Sequence, residues 1–247
     1  MKFVITSAGM GSRFAKVGIT CSKYEIKAKG QSLFYLSMIG LKKYFDSEFI
    51  FLFRKGFYSE QFIADEIKKL GIKKFQIKLV DELTDGQAST ALLADEFMQP
   101  NDEFCIFNTD TYVLPKALDN LDFNVDGLVP CFKVEGDHWS FVKTQDGTVN
   151  TKAVAVSEKV RISDMASIGF YYFKKWSDFK TILTTHKDEI KKNYKEAYIA
   201  PMYQYLINDS SKVVKAALVK KEDVIALGTP DEIALYDKDW FDNNPHN

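Results

Sequence analysis

The chain opens on Lys2-Phe3-Val4-Ile5-Thr6, and the loop after this short apolar run constrains the fold more than any other feature. Large apolar residues in succession, with no turn residue among them, read as a strand buried on both faces, as in a parallel sheet. Small residues come at once: Ser7, Ala8 and Gly9, then Gly11 and Ser12, then the cation Arg13. A backbone without side chains can lay its N–H groups against phosphate oxygens, and an arginine beside it can fork onto the same anion. Lys23 closes the segment as a second, more flexible cation. The loop is not a dinucleotide fingerprint, since Phe14 stands where the third glycine belongs, and no Gly-Lys-Ser/Thr makes it a P-loop.

The next stretches supply the crossovers that a parallel sheet needs. Residues 32–44 carry Leu33, Phe34, Leu36, Met38, Ile39 and Leu41, which predicts a largely buried helix. Phe49 to Phe53 is a second core strand. Ser59 caps a helix bearing Phe62, Ile63, Ile67 and Leu70, with Gly71 at its end. Phe75 to Val80 is a third strand, so the order predicts an α/β domain with right-handed connections. With 247 residues, 46% of them apolar, the chain can bury one large core, and no linker divides it. The expectation is therefore a single Rossmann-like domain over residues 1–247. A central mixed, mostly parallel sheet is flanked by helices, and an antiparallel extension covers the cleft.

Two further loops fall where such a sheet binds ligands. Asp85-Gly86-Gln87-Ala88-Ser89-Thr90 leads into a helix that stops before Pro100. A glutamine amide at a helix start offers a donor and an acceptor together, as reading a base edge requires. Phe104 to Asn108 is a strand that delivers Thr109 and Asp110 at its carboxyl end, the ligand side of open α/β sheets. A carboxylate there is placed for Mg²⁺, which takes one or two carboxylates plus substrate phosphates. From Leu128 the pattern changes to short strands, at 128–134, 139–144, 151–156 and 167–173. Asp146-Gly147 marks a hairpin among them. Helical sequence resumes at Ser177. Val224 to Leu227 reads as a strand, and Thr229-Pro230-Asp231-Glu232 as a capping box with proline at the first helical position.

Taken together and in this order, these segments resemble the nucleotidyltransferases that make sugar nucleotides, the pyrophosphorylase-like family. The resemblance implies catalytic roles for Arg13 and Lys23, and nucleotide contacts from Ala8, Gly9, Met10, Gly11, Ser12, Gln87, Ala88, Ser89 and Thr109. It implies Asp110 as the Mg²⁺ ligand. Ser157-Glu158-Lys159 followed by Gly169-Phe170-Tyr171-Tyr172-Phe173 is similar to the family's acceptor segment, which implies acceptor-binding roles for Glu158 and Lys159, with Lys159 meeting the acceptor phosphate. Arg161 beside them suits a carboxylate on the same acceptor. Residues 1–127 would form the nucleotide half and 128–247 the acceptor half. The implied partners are a nucleoside triphosphate, CTP favoured, and a small phosphorylated acceptor, with a homodimer compatible. One position departs from the family: Ala226 stands where many members carry a second metal-binding aspartate.

Charge and composition exclude other classes. A net charge of -1 with mixed signs leaves no nucleic-acid or anionic-membrane footprint. Cys21, Cys105 and Cys131 are scattered and unpaired in spacing, which points to a reducing, cytoplasmic setting. His138, His186 and His246 do not join them in a zinc pattern. Two alternatives stay open. A metal-dependent glycosyltransferase shares such a sheet but usually shows Asp-x-Asp, whereas Thr111 and Tyr112 follow Asp110. A non-catalytic nucleotide sensor would explain Ala226.

Overall fold

The computed structural model describes residues 1–149 and 151–243, so of the residues singled out above His246 lies outside the described ones. Its main sheet is built from β1 (Lys2–Ser7), β2 (Glu48–Arg54), β3 (Lys74–Val80), β4 (Phe104–Asn108), β5 (Gly127–Lys133), β6 (Ser140–Thr144), β7 (Ala153–Glu158), β8 (Met165–Ser167), β9 (Phe170–Phe173) and β10 (Val214–Leu218). The strands lie in the order β7-β6-β8-β5-β9-β4-β1-β2-β3, with β10 also paired to β5. β1 runs parallel to both β2 and β4, and β2 parallel to β3. β9 is antiparallel to β4 and turns the sheet over to its second, largely antiparallel region. This is the expected mixed α/β architecture, with helices on both faces.

Alternation along the central strands divides the core. Phe3, Phe49, Phe51 and Phe53 point to one face, beneath α1 (Leu33–Ile39) and α2 (Glu60–Leu70). Their rings form a ladder: Phe3 stacks on Phe49 at 4.9 Å, and Phe51 on Phe53 at 6.0 Å. Each such pair adds about 0.5–1.5 kcal/mol beyond simple burial. Val4, Ile50, Leu52 and Ile106 face the other way, against Ala88 and Ala91 of α3 (Gln87–Leu92) and Phe179 and Leu183 of α4 (Trp176–Tyr194). A short helix, α5 (Pro230–Tyr236), follows the strand Val224–Ala226, which pairs with Thr111–Val113 beside the end of β4.

Two expected elements are interrupted. The helix expected over 32–44 is α-helical only to Ile39; Gly40 packs its backbone against the carbonyl of Val113, and Lys42–Tyr44 tightens into a 3-10 turn. The strand expected over 167–173 is two strands, β8 and β9, separated by Ile168 and Gly169. Gly169 has φ +81°, and a Cβ there would stand 2.5 Å from the amide nitrogen of Asn108. Its carbonyl also accepts the N–H of Asn108 at 3.2 Å. The break therefore seats the last residue of β4. Gly169→Ala is expected to destabilise the protein by about 1–3 kcal/mol, the usual cost of a side chain at positive φ, in urea unfolding at equilibrium.

Candidate active site

The glycine loop leaves β1 beside the end of β4, because the parallel register sets Thr6 opposite Asn108. One residue on, the Ser7 hydroxyl donates to that of Thr109 at 2.9 Å and ties the two loops together. Ala8 is buried as the loop departs, while Gly9, Met10, Ser12 and Arg13 stay exposed. Gly11 turns back toward Lys23, whose Cβ lies 3.7 Å from where a Gly11 side chain would begin. The chain also returns from the far end: Leu227 donates its N–H to the carbonyl of Asp110 at 2.7 Å. Gly228 is thereby set among the charges. A Cβ on it would meet a Glu232 carboxylate oxygen at 3.1 Å, Arg13 Nη1 at 3.8 Å and Asp110 Cβ at 3.9 Å. Arg13, Lys23 and Asp110, far apart in sequence, are thus brought together.

Glu232 is the residue that the sequence reading missed. Thr229 does cap α5, accepting the Glu232 N–H at 3.2 Å, but only this half of the expected capping box forms. The Glu232 carboxylate turns instead to the Gly228 cleft, on the same side as Asp110. Ala226 lies opposite Thr111 in the short ladder and brings no charge. The second carboxylate near Asp110 therefore comes from the helix rather than from the strand before it. A complete capping box does form elsewhere, between Ser22 and Glu25, and fixes the turn that carries Lys23. The Ser22 and Tyr24 hydroxyls on either side of that lysine both donate to the carbonyl of Phe57. Burial lowers the Lys23 pKa and Arg13 lowers it further; Asp110 and Glu232 act against them without restoring it.

The base loop is held by a different set of contacts. Gln87 opens α3 and donates its amide to the Thr6 hydroxyl at 3.0 Å and to the Asn108 side chain. Its nitrogen faces the sheet, and among the described residues no hydrogen bond takes its oxygen. Ala88 donates its N–H to the carbonyl of Ala197 at 2.9 Å, and Ala197 donates its own to Asp85 at 2.8 Å. Gly86, at φ 146°, leaves no room for a side chain, since a Cβ would stand 2.5 Å from the Ala197 nitrogen. The Ser89 hydroxyl is shut from solvent next to the Asp85 carboxylate without a well-aligned hydrogen bond. Asp85 itself is a brace: Lys187 and Lys191 of α4 reach it at 3.0 and 2.8 Å and, against partial burial, hold its carboxyl below the usual range.

Of the acceptor residues, Glu158 is buried and takes the Ser140 hydroxyl. Desolvation raises its pKa, opposed by Ser140 and Lys159. Lys159, at φ 56°, donates its ammonium to the Tyr198 hydroxyl at 2.5 Å and lies 4.5 Å above the centre of that ring. Partial desolvation opposes its charge, but the Tyr198 bond and the carboxylates of Glu158 and Glu196 outweigh it and raise the pKa. Tyr198 directly follows Ala197, so the segment that clamps the 85–88 loop also carries the hydrogen-bond partner of Lys159. Arg161 is drawn aside: two of its nitrogens donate to the carbonyls of Gly136 and Val134, at 2.6 and 3.0 Å. Among the described residues no group of three or more His, Cys, Asp or Glu side chains gathers as a protein-only metal cage. No helix among them is long and apolar enough to cross a membrane.

No protein-family model and no curated protein matches the sequence. Solved structures do. The nucleoside-diphosphate-sugar pyrophosphorylase from Vibrio cholerae RC9 superposes with a TM-score of 0.82 at 31% identity, over 96% of this chain and 99% of that one. The inositol-1-phosphate CTP transferase from T. maritima gives a TM-score of 0.71 at 14% identity, over 94% and 90%. A UDP-glucose pyrophosphorylase complexed with UDP-glucose gives 0.77 at 13%, over 98% of each chain. The last two speak for the fold alone.

The Lys159 environment makes a prediction independent of any substrate. Tyr198→Phe removes the contact that most favours its charge, so its pKa is expected to fall, as read by NMR on isotopically methylated lysines.

Proposed function

Because this chain belongs to the sugar-nucleotide pyrophosphorylase-like family of nucleotidyltransferases, we propose that it transfers a nucleotidyl group from a nucleoside triphosphate to the phosphate of a small acceptor, releasing pyrophosphate. The observation that carries this reading is the convergence of Arg13, Lys23, Asp110 and Glu232 around Gly228 at the carboxyl edge of the sheet. In the finer reading, CTP is the donor and the acceptor is phosphorylated glutamine, with a sugar 1-phosphate next in rank. That would make the chain a counterpart of CTP:phosphoglutamine cytidylyltransferase, serving capsule or surface polysaccharide synthesis. Two Arg161 nitrogens are held by carbonyls, and its remaining N–H donors are the ones an acceptor carboxylate would engage.

The chemistry needs no general base, since the acceptor phosphate is already an anionic nucleophile. Its oxygen forms a bond to the α-phosphorus, the bond from that phosphorus to the bridging oxygen breaks, and pyrophosphate carries away the electron pair. Two anions must be held in line, so positioning and charge neutralisation supply the catalysis. The glycine loop cradles the triphosphate, with N–H groups from Ala8 to Ser12. Arg13 and Lys23 take up charge on the α-phosphate and the leaving group, and Lys159, with Glu158 behind it, holds the acceptor. Base-side contacts come from the Gln87-Ala88-Ser89 turn, with Thr109 steadying the loop through Ser7.

The donor set at Gly228 fits magnesium: two carboxylates, Asp110 and Glu232, border a space that a side chain on Gly228 would fill. These are the hard oxygen ligands that Mg²⁺ shares with substrate phosphates. When bound, the ion would neutralise charge on the triphosphate and pyrophosphate.

Pyrophosphate release with Mg²⁺, across CTP, UTP, dTTP, GTP and ATP against phosphoglutamine and several sugar 1-phosphates, tests the reading. One matched pair should respond, and silence across the panel would overturn it. Asp110→Asn is expected to lower kcat by about 100-fold or more, the scale of losing one electrostatic group aimed at the transition state. The lowered Lys23 pKa gives a pH dependence with a definite sign. Nucleotide affinity should weaken as pH rises through that value, on the acid side of the ordinary lysine range. Lys23→Arg, which keeps its charge throughout, should lose this alkaline limb in a calorimetric pH series.

A further inference from the structure

We infer that Arg54 reads the nucleobase and selects a cytosine edge. The inference rests on the nucleotidyltransferase reading above and supplies its donor specificity. Arg54 ends β2 on the side of the strand where Ile50 and Leu52 are buried, the sheet face shared with Val4, Ala8, Val80 and Ala88. In register, Phe53 pairs with Ser7, and Arg54 pairs with Val80. Arg54 therefore stands level with Ala8 of the glycine loop on one side and at the root of the base loop on the other.

The turn after it is stitched to both neighbours. Lys55 reaches Asp81, which follows β3 on the way to the Gln87 loop, at 2.9 Å, and the Phe57 carbonyl accepts the hydroxyls of Ser22 and Tyr24 that flank Lys23. Arg54 thus sits where three ligand-facing loops meet. Its Nη1 is shut from solvent with no hydrogen-bond partner among the described residues, and the nearest ring, that of Phe57, is centred 6.0 Å away. A buried guanidinium N–H without an acceptor bears the full desolvation cost of a charged donor. Such an orphan in a native fold calls for an explanation, and a ligand seated between these loops supplies one.

The ligand part is the base rather than the phosphates. The cations placed for the triphosphate, Arg13 and Lys23, gather with Asp110 and Glu232, and Tyr24 next to Lys23 packs on the Phe53 face of β2 at 5.2 Å, whereas Arg54 stands on the opposite face, that of Val4 and Ala88. Gln87 has already given its amide nitrogen to Thr6 and Asn108 and keeps only an acceptor oxygen for a base. The donors must come from elsewhere, and Arg54 has them. A guanidinium presents parallel N–H groups, so it matches two adjacent acceptors. Cytosine offers N3 and O2 side by side, with an exocyclic amine beyond them that the Gln87 oxygen complements. Uracil and thymine put an N3–H in the middle of that edge, facing donor with donor.

Calorimetric binding of CTP, UTP and GTP to the full chain, with pyrophosphate release read in parallel, tests this in wild type, Arg54→Ala and Arg54→Lys. Wild type is expected to favour CTP over UTP by about 10- to 100-fold, the discrimination of one good bidentate contact. Both substitutions should shrink that ratio to within about threefold, since lysine keeps the charge but not the fork. If Arg54→Ala does not fold, as read by its melting curve, Arg54→Lys decides. An equal loss for all three nucleotides would assign Arg54 to phosphate or to the fold and overturn the inference. A wild type indifferent between CTP and UTP, or one favouring GTP, would overturn it as well. A CTP preference that vanishes in the variants, without pyrophosphate release from wild type, would uphold Arg54 and sink the proposed reaction instead.

Discussion

The parallel pairing of β1 with β4 sets where every charged loop can go. It places Thr6 beside Asn108, so the glycine loop and the Thr109-Asp110 turn leave the sheet side by side and are joined by Ser7 and Thr109. Strand pairing of this kind is specified in steps of two residues, because one face of each strand is buried and a slip of one inverts it. Here both faces are buried, and Phe3 and Val4 pack into separate cores. A register error would therefore unseat both cores at once. The precision of the cleft is borrowed from the packing beneath it.

Lys23 and Lys159 are shifted in opposite directions because their surroundings differ. Lys23 has been desolvated next to another cation, with its carboxylate neighbours unable to compensate, so the folded protein holds it short of its preferred hydration. Lys159 stays exposed and has a phenol and two carboxylates for company, which favour its charge. In the proposed reaction, the first is a group whose electrostatic need an arriving polyanion would meet. The second is held in place before anything arrives. Strength at one position and aim at the other are what a transfer between two anions requires.

Much of this was legible in the sequence because it depends on local pattern. Buried strands announce themselves by unbroken apolar runs, and the Gly9-Met10-Gly11-Ser12-Arg13 loop by its small residues after such a run. The parallel region and the convergence of Arg13, Lys23 and Asp110 follow from those signals and the rule that ligands sit at strand carboxyl ends. What was not legible depends on side-chain direction across distant elements. Glu232 reads as half of a capping box, because Thr-Pro-Asp-Glu satisfies that pattern wherever it occurs. Only the Leu227 bond to Asp110, which draws Gly228 into the cleft, shows that its carboxylate has another destination. The two carbonyls that hold Arg161 were hidden for the same reason, since its proximity to Lys159 in sequence said nothing of Val134 and Gly136. Gly169 looked like a residue within one strand until its positive φ and the Asn108 side chain gave it a separate purpose.

Ala197 gives the molecule a mechanical property that no charge supplies. Its N–H and carbonyl are both bonded to the base loop, and the next residue is the phenol that grips Lys159. The path from the 85–88 loop to Lys159 therefore runs through two adjacent residues, Ala197 and Tyr198, not across the whole sheet. Thermal displacement accumulates along a path, so a short stiff one keeps the relative position of its ends narrowly distributed even when the surrounding loops fluctuate. The alignment of two phosphorus-bearing ligands would then depend on the compliance of one peptide segment. Global stability and the accuracy of that alignment could vary independently of each other.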